Sequence, residues 1–363
     1  MAKVYFSSVR TTKKSRLDQL DRLFDKAGFA GLIEPGDLVA IKVHFGERGN
    51  TAFLSPLYAR RVVDKVKAAG GRPFLTDANT LYAGTRGNAV DHLATAVQHG
   101  FGYASVGAPV IIADGLNGHN YLEVPIDGKH FETVKIGSAI READVVIALS
   151  HFKGHEAVGF GGALKNIGMG SGSRSGKQMM HSDIMPVVDE EKCSACERCV
   201  EWCASGAIAV GASAGISPEA CVGCGECTVT CPNGAIGINW KTEPAAIQEK
   251  IAEYALGVIA GKADKVGFIN FAIDIVPDCD CWAWSDAPVV PDIGILASTD
   301  IVAVDQASVD LVNSTEGIRG GRLEDVTSCD KFATLNGIDW SIQLEHGQHL
   351  GLGSRSYELV RVG

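Results

Sequence analysis

Along the first 150 residues, short apolar runs alternate with amphipathic stretches. Lys3–Ser7, Asp37–His44 (DLVAIKVH), Arg72–Asp77 and Ala143–Ser150 (ADVVIALS) read as strands. Between them, Arg16–Ala27 places Leu17, Leu20, Leu23 and Phe24 on one helical face. Pro56–Ala69, ended by Gly70-Gly71, and Ala89–His99 predict two more helices. Gly107–Ala113 and Tyr121–Pro125 predict strands beside turn signals at Asn117-Gly118 and Asp127-Gly128. The rhythm resumes after residue 240 with a helix over Pro244–Ala260, strands over Lys265–Ile273 and Asp292–Ala297, and a helix over Ile301–Asn313. A last helix is expected between Leu344 and Val362, interrupted by Gly351 and Gly353. This alternation predicts an α/β fold, a mostly parallel sheet with helices on both faces.

Two stretches break the rhythm. Residues 151–186 are Gly-rich and basic, with Lys153, Lys165, Arg174 and Lys177, and are longer than an ordinary connection. Within them, Gly161–Ile167 could form the first turns of a helix. Residues 187–240 hold eight of the eleven cysteines. The expected organisation is therefore a first part of the core over 1–186, an inserted cysteine module over 187–240, and a second part of the core over 241–363.

Composition narrows the function classes. With 46% hydrophobic and 21% charged residues, the 363-residue chain can bury a core and is not disordered. A net charge of −10 argues against nucleic acid as a partner. No apolar run reaches the length of a membrane span, and Met1–Ser8 lacks the apolar stretch of a signal peptide. A cytoplasmic protein is expected, where thiols stay reduced and cysteines serve as metal ligands more often than as disulfides.

The cysteine segment contains an internal duplication. Its halves are Cys193-x2-Cys196-x2-Cys199-x3-Cys203 and Cys221-x2-Cys224-x2-Cys227-x3-Cys231-Pro232, followed by Gly206-Ala207-Ile208 and Gly234-Ala235-Ile236. Such spacing lets one tight loop set three thiolates around one 4Fe-4S cluster, while the fourth cysteine reaches the other cluster. One cluster would take Cys193, Cys196, Cys199 and Cys231, and the other Cys221, Cys224, Cys227 and Cys203. The segment resembles the bacterial two-cluster ferredoxin domain, with Ala204 where that family usually has proline. A pair of structural zinc sites is the competing reading, and the tandem runs favour clusters. The segment carries five more acidic than basic residues, half the net charge of −10. An acidic surface would suit a basic electron donor or acceptor protein, or would simply keep the module soluble.

Open α/β sheets bind ligands at the carboxyl ends of their strands. Lys42 and His44 end one predicted strand, Asp77 and Asn79 another, and His151, Lys153 and His155 a third. Lys42, His44, His151, Lys153 and His155 are the candidate catalytic residues. Asp77, Asn79, Lys165, Asn166 and Arg174 are candidates for binding an anionic small molecule. The Gly159–Gly170 stretch offers close backbone approach and a helix N-terminus for such an anion, and it matches neither standard nucleotide fingerprint. Cys279 and Cys281, with His151 and His155, could hold an additional zinc or iron ion. Asp300 suits a helix cap, Asp305 is expected to be partly buried, and Cys329 stands alone.

The chain as a whole resembles the family known as domain of unknown function 362, in its ferredoxin-containing form. The resemblance is carried by Ile41-Lys-Val-His-Phe-Gly-Glu47, by Asp77-Ala-Asn-Thr-Leu-Tyr82 with Gly84 and Arg86, by Ser150-His-Phe-Lys-Gly-His155, by Gly159-Phe-Gly-Gly-Ala-Leu-Lys-Asn166 and by Asp300-Ile-Val-Ala-Val-Asp305. It implies an α/β core that carries a two-cluster iron–sulfur module, with a more distant likeness of the core to lactate-racemase-like proteins. An iron–sulfur oxidoreductase acting on an unknown small substrate is the leading expectation. The alternatives are a non-catalytic electron carrier or sensor that docks a partner, and a non-redox metalloenzyme with structural clusters.

Overall fold

The apolar runs become the strands of one eight-stranded sheet. They are β1 (Ala2–Ser8), β2 (Leu38–Val43), β3 (Arg72–Asp77), β4 (Val110–Ile112), β5 (Val145–His151), β6 (Val266–Ala272), β7 (Gly294–Ser298) and β8 (Tyr357–Arg361). The computed structural model describes residues 1–81, 84–181, 186–203, 205–221, 225–237, 244–323 and 325–363, apart from the side chain of Val229. The strand order is β8-β1-β7-β6-β5-β2-β3-β4. Only β7 runs against its neighbours, β1 and β6, and the remaining adjacent pairs are parallel.

Side-chain alternation along the central strands feeds two cores. In β5, Val145, Ile147 and Leu149 join one apolar cluster, while Val146 and Ala148 join the other. The helices α1 (Arg16–Lys26) and α2 (Pro56–Ala68) cover the first face, with Leu20, Leu23 and Phe24 of α1 buried and Leu17 at its margin. The opposite face is covered by α3 (Ala163–Ser171), α4 (Pro244–Ile259) and α5 (Ile301–Ser314). Asp300 caps α5 by accepting from Ala303 N at 2.8 Å. Among the described residues no helix is long and apolar enough to cross a membrane.

The carboxyl-terminal expectation is corrected. A helix, α6, spans only Ser341–His349, and Gly351 follows it at φ 75°. The chain then extends as β8, parallel to β1 and paired from Ala2 opposite Tyr357 to Phe6 opposite Arg361. The open edge of β1 supplies backbone partners that local periodicity does not reveal. The stretch after residue 151 is also more ordered than a loop. Lys153–His155 and Gly159–Gly161 form a short hairpin ahead of α3, and a further helix spans Arg174–His181.

The cysteine segment stands outside the large sheet. Val187–Val188 pairs antiparallel with Ile236–Gly237, so the segment leaves and rejoins the core at neighbouring points. A second ladder joins Ile208–Val210 to Ala214–Ile216, and the helices Arg198–Glu201 and Glu226–Thr230 pack on each other. Cys199, Cys227, Ile208, Ala214 and Ile236 form a small apolar cluster of their own. Cys224, Ala204, Tyr82 and the boundary expected at residues 240 and 241 lie outside the described residues.

Candidate functional site

The carboxyl ends of β2, β3 and β5 open onto one cavity of about 850 Å³. Lys42, His44, Asp77, His151, Lys153, His155, Lys165, Asn166, Cys279 and Cys281 all line it. Residues far apart in sequence meet there because parallel strands present their carboxyl ends on one edge of the sheet.

The polar wall is built around ion pairs. Lys42 Nζ lies 2.8 Å from Asp77 Oδ1 and donates to Asn166 Oδ1 at 2.8 Å. Arg86, fully buried, reaches Glu47 Oε2 at 3.2 Å and Asp77 Oδ2 at 3.7 Å, and donates to His44 Nε2 at 2.8 Å. Burial alone would raise the Asp77 carboxyl, but the cations around it, Lys42 first, hold it below the ordinary range. Burial, with Arg86 and Lys153 nearby, keeps His44 neutral, its pKa well below the usual histidine value. Burial pushes His155 down in the same way, helped by Lys165 and Lys153.

His151 acts within the wall. Its Nδ1 lies 2.9 Å from Asp280 Oδ1, and its Nε2 lies 3.1 and 2.9 Å from the carbonyl oxygens of Ile273 and Asp274. Lys153 Nζ lies 3.3 Å from Asp280 Oδ2. Both ring nitrogens of His151 are engaged, so it anchors the segment after β6 rather than joining Cys279 and Cys281. The group that does come together is His155, Cys279 and Cys281, whose ligand atoms lie within 4.8 Å of one another. That set has the chemistry to hold a soft divalent ion.

Lys165 and Lys177 complete the cationic lining. Among the described residues neither has a carboxylate within ion-pair distance: Lys165 Nζ lies 3.6 Å from Cys279 Sγ, and Lys177 Nζ donates to Gly172 O at 2.6 Å. Burial, reinforced by Lys153, brings Lys165 down to about 7, and burial brings Lys177 down to about 8. Met169, Ile247, Ile251 and Trp282 form an apolar wall. Nothing in the strand-end pattern points to Arg86, His181, Met169, Ile247 or Ile251, whereas Trp282 closes the Asp278–Trp282 run that follows a predicted strand. The former reach the cavity from a loop and from helices, where no periodicity marks a ligand site.

Three expected binding features resolve differently. Asn79 turns away from the cavity and donates to Asp114 Oδ1 and Gly115 O at 2.9 and 2.8 Å. Arg174 donates to Thr80 O at 3.0 Å and lines a second cavity of about 540 Å³ with His119, Arg198, Trp202 and Cys231. The N-terminus of α3 is not open to a substrate anion, because Asp305 accepts from Ala163 N and Leu164 N at 2.7 and 2.9 Å. The glycines there serve packing: a Cβ on Gly168 would collide with the Ile251 carbonyl, and one on Gly170 with Lys42 Nζ.

In the cysteine segment, Cys193, Cys196, Cys199 and Cys231 surround one small cavity. Ala214 N and Ala235 N donate to Cys193 Sγ and Cys231 Sγ at 3.4 and 3.2 Å. Ala207 N donates to Cys203 Sγ at 3.2 Å. The helix Arg174–His181 lies between this segment and the large cavity. A Cβ on Gly225 would meet the Gln178 side chain, while Lys177 and His181 of the same helix line the cavity. Tyr121 OH and Lys135 Nζ both reach Glu226 Oε1 at 2.8 Å, which ties the segment to the core.

A family model described as a domain of unknown function, DUF362, matches residues 39–310. No curated protein matches the chain in sequence. Among solved structures, the lactate racemase apoprotein from Thermoanaerobacterium thermosaccharolyticum is similar at 17% identity and a TM-score of 0.41, over 74% of this chain and 51% of that one. A structural-genomics protein from Thermotoga maritima is similar at 10% identity and a TM-score of 0.38, over 93% of this chain and 59% of that one. The chain thus spans between about half and three-fifths of the length of these two proteins. At these scores neither likeness bears on function.

Proposed function

The chain belongs to the DUF362 family, and on that premise we propose that it is an iron–sulfur oxidoreductase, holding two 4Fe-4S clusters beside a cationic cavity that binds an anionic small substrate. The observation that carries the reading is the crossed cysteine set. Cys231 closes a cavity with Cys193, Cys196 and Cys199, although it belongs to the other cysteine run. The backbone N–H groups aimed at Cys193 and Cys231 suit sulfurs that carry negative charge. Cys203, Cys221 and Cys227, with Cys224, would hold the second cluster. When bound, the clusters would supply one-electron transfer.

The core residues divide the remaining work. Lys165 and Lys177 offer charge to an anionic head, since the other cavity ammonium groups already face carboxylates. Met169, Ile247, Ile251 and Trp282 would hold an apolar body. His155, neutral by burial, is placed to exchange a proton with a bound molecule, whereas both ring nitrogens of His44 are already held by Arg86 and Gly46 N. A buried, cation-lined cavity favours an enzyme over a carrier that only docks a partner.

Iron and acid-labile sulfide assays with a spectroscopic redox titration test the reading on anaerobically purified protein. About eight irons per chain and two one-electron transitions are expected. Cys231→Ser should remove one transition and leave the other. Zinc in place of iron, with no reducible signal, would end the proposal.

A further inference from the structure

Cys279 and Cys281 both open onto the large cavity, while Asp280 between them points away to His151 and Lys153. The two cysteines are joined as a disulfide, with Cα atoms 5.1 Å apart. That separation lies within the range found in disulfides. Cys279 is buried and Cys281 half-buried, so of the two cavity-lining cysteines Cys279 is the more shielded.

The shielded sulfur has the surroundings of a stabilised thiolate. Lys165 Nζ lies 3.6 Å from Cys279 Sγ, and Cys281 N donates to the same sulfur at 3.4 Å. A neighbouring cation and an N–H both favour negative charge on Cys279, which also makes it the better leaving group in thiol–disulfide exchange. His155 stands within metal-ligand reach of both sulfurs. As a disulfide, however, the pair has no thiolate to give an ion, and His155 Nδ1 already accepts from Ala157 N at 3.1 Å. An ion would require the disulfide to be opened first, and that opening is itself the reductive half of a redox cycle whose oxidised half is the bond already present.

We propose that Cys279 and Cys281 are a two-electron redox pair, cycling between disulfide and dithiol and passing reducing equivalents to the molecule bound in the cavity. The proposal rests on the iron–sulfur reading only for its source of electrons. Two electrons, supplied singly by an external low-potential electron-donor protein, and two protons from solvent break the S–S bond and leave two thiols. Re-forming that bond releases the same two electrons and two protons to an acceptor with a reducible double bond. The pair thereby converts single-electron supply into the two-electron step that a closed-shell small molecule needs.

The test equilibrates the anaerobic holoprotein in dithiothreitol redox buffers, quenches it with N-ethylmaleimide and reads the 279–281 peptide by mass spectrometry. Both thiols should pass together from blocked to alkylated, with a slope of about 30 mV per tenfold change in buffer ratio. Cys329, free and exposed, should be alkylated throughout. A pair that stays closed across the series, or stays open across it, overturns the proposal. So does a reduced pair that resists N-ethylmaleimide until EDTA is added, since it would then be a metal site. Iron content and visible absorbance of the same samples report the clusters separately. Clusters with a non-cycling pair defeat this proposal alone, and a cycling pair without clusters defeats only the reading it draws electrons from.

Discussion

Asp305 is a carboxylate held by two backbone N–H groups and the Asn270 amide rather than by a cation. Burial raises it from the ordinary aspartate value to about 6. The folded state therefore binds a proton more readily than the unfolded chain. The resulting stabilisation is complete below the unfolded value of 3.8 and is lost as pH rises through about 6. Between pH 5 and pH 7, wild-type stability relative to Asp305→Asn should fall by about 1 kcal/mol, read from denaturant titrations of the two proteins. A gap that is constant or widens with pH would refute this. The apolar neighbours of Asp305 in sequence already suggested burial. Its partners, 141 and 142 residues away at Leu164 and Ala163, were not legible, because only packing α3 against α5 brings them together.

At the scale of elements, α3 is the piece on which the site depends. Asn166 accepts from Lys42 and donates to Leu149 O at 3.1 Å and Ser150 Oγ at 3.0 Å, joining the helix to the ends of β2 and β5. Its glycines allow α4 to approach closely. Gly168→Ala should lower stability by about 1–3 kcal/mol and so lower Tm, because the new methyl overpacks against Ile251 O. Gly31→Ala, in the short 3-10 turn Phe29–Leu32 where a Cβ meets nothing within 4 Å, is the control for an unobstructed methyl and should hold or slightly raise Tm. A Gly168→Ala variant as stable as the wild type would show that the close approach costs nothing, since propensity alone favours alanine. The Gly-rich stretch was visible in sequence, but glycine signals close approach without saying to what. Here the neighbour is the protein's own backbone. The edge strand β8 teaches the same limit, since its pairing depends on a distant strand.

At the scale of the molecule, the cysteine segment is joined to the core through a buried pair. Burial alone would raise the Glu226 carboxyl, but Lys135, 2.8 Å away, holds it below the ordinary range. Glu226 thus faces inward and adds nothing to the segment's acidic surface. Lys135→Met leaves that carboxylate buried without its lysine, with the Tyr121 hydroxyl still donating to it, at a cost of about 3 kcal/mol to the docked arrangement. Limited proteolysis should then cut within residues 187–237 faster than in the wild type. Exchanging Glu226 for Met as well should restore part of the protection, and if the single variant is cut no faster, the pair does not hold the segment. The sequence by itself determined the α/β alternation, the two-faced burial of the sheet and the tandem spacing of the cysteines. Each is a local property, set by side-chain period or by distance along the chain. Only the tertiary structure decided that His155 rather than His151 joins Cys279 and Cys281, that Asp305 occupies the N-terminus of α3, and that Arg86 and His181 reach the cavity. Those outcomes depend on which strands lie side by side and which helices pack across them, and such contacts leave no periodic trace in the chain.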